Sequence, residues 1–74
     1  MLKAGIYRHY KGNLYQVIDV ARHSETEEYL VVYRPEYGDR DLWVRPLDMF
    51  TESVTKDGVT QDRFTYVAAS MADL

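Results

Sequence analysis

The sequence predicts an all-β fold: a small SH3-like antiparallel barrel of five to six strands with one short helical turn, an OB-like barrel being the alternative. Three observations predict it. Short runs rich in Val, Ile and Tyr recur along the chain, turn-forming residues separate them, and all of this fits within 74 residues. Parallel strands need crossovers of about a dozen residues or more, which leaves antiparallel pairing. Curling such a sheet on itself removes exposed edges.

The elements follow in chain order. Gly5 to Tyr10 reads as the first strand and Lys11-Gly12-Asn13 as a turn, since Gly and Asn tolerate positive φ. Leu14 to Arg22 is a longer β-branched and aromatic strand, and Ser24 to Glu27 a second turn. Glu28 to Arg34 is the most strongly β segment, its Leu30-Val31-Val32-Tyr33 core apolar on both faces, as in a central strand. Pro35 to Asp41 is a loop hinged at Gly38-Asp39, and Leu42 to Arg45 a short strand. Pro46 opens one helical turn through Phe50, because its fixed φ and missing N–H suit a first helical position. Asp57-Gly58 is a type I′ hairpin dipeptide between Thr51–Thr55 and Val59–Thr60. Arg63 to Val67 is the last strand, and residues 68–74 form a tail, frayed or with a helical turn. The whole of 1–74 is one domain.

Composition narrows the function classes. With no Cys, neither a disulfide nor a Cys-rich metal site is available. Stability must come from packing, to which seven Tyr, two Phe and one Trp contribute large rings. The net charge of −3 argues against tight non-specific duplex binding. Of nine bases, six are Arg, a side chain suited to carboxylate, phosphate and aromatic faces. No apolar stretch reaches the length of a signal h-region or a membrane span, so the expectation is a cytoplasmic protein with no membrane partner.

Several strings together carry a family resemblance. Gly5-Ile6-Tyr7-Arg8-His9-Tyr10-Lys11-Gly12-Asn13-Leu14-Tyr15 opens it, followed by His23-Ser24-Glu25-Thr26, Val31-Val32-Tyr33-Arg34 and Tyr37-Gly38. Leu42-Trp43-Val44-Arg45-Pro46-Leu47-Asp48-Met49-Phe50 continues it and Arg63-Phe64 closes it. Over residues 5–67 the chain resembles the small bacterial domain-of-unknown-function family 1653. The resemblance implies a bacterial β domain and no activity. Glu27 stands where family members often have Gly; if that position needs positive φ, Glu27 adopts it at about 1 kcal/mol. Glu36 stands where an apolar residue is common, which implies a more exposed loop.

Candidate chemistry lies in three places. Arg22-His23-Ser24-Glu25-Thr26 combines a base, a hydroxyl and a carboxylate, but neighbours on a strand face opposite ways and a catalytic triad needs convergence. The stretch reads better as a shaped turn, with Ser24 and Thr26 bonding backbone groups and Glu25 accepting from Arg22 or His23. His9 and His23, with Glu25 or Asp19, offer metal-ligating types without a spacing that requires a metal, and no motif implies a cofactor. Arg8-His9 and Arg22-His23 each precede a turn and then a Tyr, an echo too short to count as a repeat. The third place is the aromatic set, most of it assigned to the core. Trp43 is the exception: alternation in Leu42-Trp43-Val44-Arg45 turns Leu42 and Val44 inward and Trp43 and Arg45 outward.

The sequence therefore favours a binding module over an enzyme. An aromatic-plus-Arg surface of Trp43 and Arg45, with Tyr33, His9, His23 and Glu25 nearby, would take an anionic or aromatic ligand, a peptide or a nucleic-acid element. Arg45 would grip an anionic group and Trp43 would stack. The alternatives are a structural domain that self-associates as a homodimer, and behind it a small hydrolase using His23, Ser24 and Glu25.

Overall fold

The computed structural model describes residues 1–74. Seven strands form: β1 (Gly5–His9), β2 (Leu14–Arg22), β3 (Tyr29–Pro35), β4 (Trp43–Pro46), β5 (Ser53–Lys56), β6 (Val59–Asp62) and β7 (Phe64–Ala68). One helical turn, α1 (Leu47–Phe50), follows Pro46, and a 3-10 turn (Met71–Asp73) ends the chain. β1, β2, β3, β4 and β7 make one antiparallel sheet in the order β4-β3-β2-β1-β7, and β5-β6 is a separate ribbon. The all-β, antiparallel expectation holds. β4 and β7, the two ends of the sheet, share no ladder and meet through side chains instead. The Arg45 guanidinium from β4 lies 5.6 Å from the centre of the Phe64 ring on β7.

The core is Tyr7, Val17, Val31, Tyr33, Phe50 and Phe64. Phe50, the buried residue of α1, stacks on Phe64 with ring centres 4.0 Å apart and planes 3° apart. The one-turn helix thus plugs the curled sheet with a ring, the strongest apolar contribution available to so short an element. Ile6 and Tyr7 are both buried, although strand alternation puts them on opposite faces. The ladder with β2 runs regularly through both, so they do face opposite ways: Tyr7 joins the core cluster and Ile6 is buried outside it. The register shift of the β1–β7 ladder lies on β7, where Val67 is the extra residue between Tyr66 and Ala68. Gly5 lets the two strands approach: at φ 143° it lies so close to β7 that an added Cβ would sit 2.7 Å from the Ala68 carbonyl oxygen.

Asp57 and Gly58 both have positive φ, 53° and 78°, as a type I′ turn requires, though β5 and β6 pair over a longer span than the sequence suggested. Glu27 does occupy the left-handed region, at φ 62°. Glu36 departs from expectation: its side chain is only 11% exposed, held by Arg40 Nη2 at 3.1 Å.

Alternation at β4 also comes out reversed. Trp43 pairs with Tyr33 and Arg45 with Val31, so both share the face of the buried core, while Val44 pairs with Val32 on the opposite face. Leu42 and Val44 are exposed rather than inward. The cause is that β4 is an edge strand lying beyond the limit of the core. Its inner-face residues overhang the sheet, and its apolar outer residue has nothing to cover it.

Candidate functional site

Trp43 overhangs a cleft of about 330 Å³ between β2, the end of β3 and the β3–β4 loop. Tyr33, buried, is the cross-strand neighbour of Trp43 on the same sheet face. Tyr15 of β2 stands nearly edge-on to Tyr33 (5.8 Å, 66°) and to Tyr37 (5.9 Å, 77°). The Tyr15 and Tyr37 hydroxyls are hydrogen-bonded at 3.0 Å. Burial first, and the Tyr37 hydroxyl second, push Tyr15 up to about 12, so its ring stays an uncharged phenol. Asp39, Arg40 and Asp41 complete the wall. Left-handed backbone at Gly38 (φ 64°) and Arg40 (φ 55°) folds the loop back over the cleft.

Of the residues singled out from the sequence, Trp43 and Tyr33 line this cleft, and Trp43 is 57% exposed. Arg45 does not line it; its guanidinium covers Phe64 at the seam of the sheet. His9 packs on the far side of Tyr15, 4.9 Å from Phe64 and 4.5 Å from Tyr10, ring centre to ring centre. Burial, and then the charges of Arg63, Lys11 and Arg45, lower the His9 pKa. His23 and Glu25 lie in the β2–β3 turn, at neither the cleft nor the seam.

The two histidines share a local role. His9 Nδ1 accepts the Lys11 N–H (3.2 Å), and His23 Nδ1 accepts the Glu25 and Thr26 N–H groups (3.1 and 3.2 Å). Each imidazole caps the turn that begins at its own strand end, so the Arg-His echo in the sequence marks a repeated turn device. Glu25 does not accept from Arg22 or His23 as expected. Arg22 instead bonds the Tyr29 hydroxyl at 2.6 Å and pairs with Glu27 at 3.5 Å. No group of three or more His, Asp or Glu side chains gathers in metal-ligating range.

Sequence reasoning missed Tyr15, Tyr37, Asp39 and Asp41 as cleft residues. Tyr15 and Tyr37 were visible as aromatics, but their meeting depends on where the β3–β4 loop folds, for which the positive-φ positions were the only signal.

Fold and cleft together define a small all-β domain with an aromatic recess at the open end of its sheet. The family described as "Protein of unknown function (DUF1653)" matches residues 5–66, and the chain belongs to it. A crystal structure of a DUF1653 protein from Bordetella bronchiseptica has a TM-score of 0.83 and 38% identity to this chain, covering 90% of this chain and 88% of that one. No curated protein matches the chain. No helix is long and apolar enough to cross a membrane.

Proposed function

We propose that the chain is a binding module of the bacterial cytoplasm whose site is the aromatic cleft under Trp43. One observation carries this reading: an indole 57% exposed stands opposite a buried Tyr at the mouth of a cleft walled by two further Tyr. The exposed part of the indole contributes nothing to folding, and a ligand that covers it gains the apolar contact that folding leaves unused. A cleft of about 330 Å³ is at the small end of ligand sites, enough for one side chain, one base or a small molecule. The bacterial family member of the same fold supports the bacterial assignment.

The test is a screen of peptides, nucleotides and small ligands by amide chemical-shift perturbation. The reading expects shifts concentrated at Tyr15, Tyr33, Tyr37 and Trp43, and their loss in Trp43→Ala. Saturable binding that maps to the opposite sheet face would overturn it.

The self-association reading draws on the unpaired edge of β4 and its exposed Val44. A dimer by light scattering at high micromolar concentration, lost in Val44→Lys, would favour it.

A further inference from the structure

We infer that the cleft holds an organic cation, an ammonium head on an aliphatic stem; this rests on the cleft being the binding site. Four rings in the chain carry cations of their own: Lys3 lies over Tyr66, Lys11 over Tyr10, Arg22 over Tyr29 and Arg45 over Phe64. The four rings of the cleft, Tyr15, Tyr33, Tyr37 and Trp43, have none. Tyr15 packs edge-to-face on Tyr33 and Tyr37, all three line the cleft, and the Trp43 indole, 57% exposed, stacks on no other ring. Rings arranged around a void present negative π-faces to a cation, the geometry by which aromatic cages hold ammonium groups.

The rim charge has the matching sign. Arg40, the one cation of the wall, is spent on Glu36 through two contacts at 3.1 and 3.2 Å. Asp39 and Asp41 face no ion-pair or hydrogen-bond partner. Two uncompensated carboxylates beside rings that carry no internal cation repel an anion and attract an ammonium. Tyr15, held as a phenol, adds no charge that would make a simple ion pair the better description.

Trp43 is the single Trp, so its fluorescence reads the cleft directly. The probes are choline, a doubly capped peptide with one lysine, bare or trimethylated, the uncharged tert-butyl isostere of choline, and adenosine monophosphate. Saturable fluorescence change with choline or a lysine peptide, with the isostere about tenfold weaker or worse, is the expected result. Response to choline alone assigns a free or lipid-borne headgroup, and a stronger response to a lysine peptide assigns a protein side chain. The double variant Asp39→Asn, Asp41→Asn should weaken the cation by about two- to tenfold and leave the isostere unchanged. Equal binding of the isostere, or binding of adenosine monophosphate with choline silent, overturns the cation while keeping the cleft as a binding site. Silence of every probe at the four rings overturns both.

Discussion

Whether Trp43 serves recognition or packing is decided by comparing its loss with that of Phe50. Trp43 is 57% exposed, so Trp43→Ala removes at most about 100 Å² of buried surface from a ring worth about 250 Å². At about 25 cal/mol per Å² the upper bound is about 2.5 kcal/mol, and about 1–2 kcal/mol once the compactness of the unfolded chain is allowed for. Phe50 is 1% exposed and stacked on Phe64, and Phe50→Ala should cost about 3–5 kcal/mol. A domain of 74 residues has about 4–11 kcal/mol in total. At about 4–8 °C per kcal/mol, Trp43→Ala lowers Tm by about 5–15 °C and stays folded, whereas Phe50→Ala loses most of its margin. Thermal unfolding by circular dichroism gives the comparison, and amide shifts then show whether folded Trp43→Ala still responds to ligand. A Trp43→Ala protein as unstable as Phe50→Ala would refute the reasoning, because the indole would then be core.

Gly5→Ala combines a left-handed φ with a Cβ 2.7 Å from the Ala68 carbonyl oxygen, and should cost about 3 kcal/mol in urea unfolding. Glu27→Gly relieves the strain at φ 62° and loses only an exposed ion pair with Arg22, so its urea midpoint should rise by the equivalent of about 0.5–1 kcal/mol. His9 titrates below its ordinary 6.5 in the folded chain, so on acidification the unfolded chain binds the proton first. Its contribution is full above 6.5 and is lost as pH falls through the lowered value; His9→Asn, whose side-chain oxygen can still accept the Lys11 N–H, should flatten that slope when the two stability–pH curves are subtracted.

The parts of the fold legible in the sequence are those fixed by local chemistry. Leu30-Val31-Val32-Tyr33 became the strand between β2 and β4, Pro46 introduced the helical turn, and Asp57-Gly58 made its turn, because neighbouring residues determine each. Glu27 could be flagged because a left-handed position restricts side chains whatever lies around it. Where the outcome depends on what lies across the sheet, local reading failed. Alternation correctly put Trp43 and Arg45 on one face, but which face is inward depends on their partners Tyr33 and Val31. Glu36 was expected to be exposed because it stands where the family often has an apolar residue; that comparison does not show that Arg40, four residues on and brought back by its own positive φ, folds onto it.

The same limit separates the anion-binding expectation from the cation we propose for the cleft. Six Arg in 74 residues suggest a surface for phosphate or carboxylate, but composition counts charges without saying which are already engaged. Arg22 is committed to Tyr29 and Glu27, Arg40 to Glu36, Arg63 to Glu52 and Arg45 to the Phe64 face. Arg34 pairs in register with Gln16, which pairs with Ile6, placing it on the sheet face away from Tyr15; Arg8 alternates with Tyr7 to the same side. What remains at the cleft is the complement of that accounting: rings that no internal cation covers and carboxylates that no internal cation neutralises. A ligand meets only groups left unpaired by folding, so the unpaired groups, and not the sum of charges, set the sign of what binds.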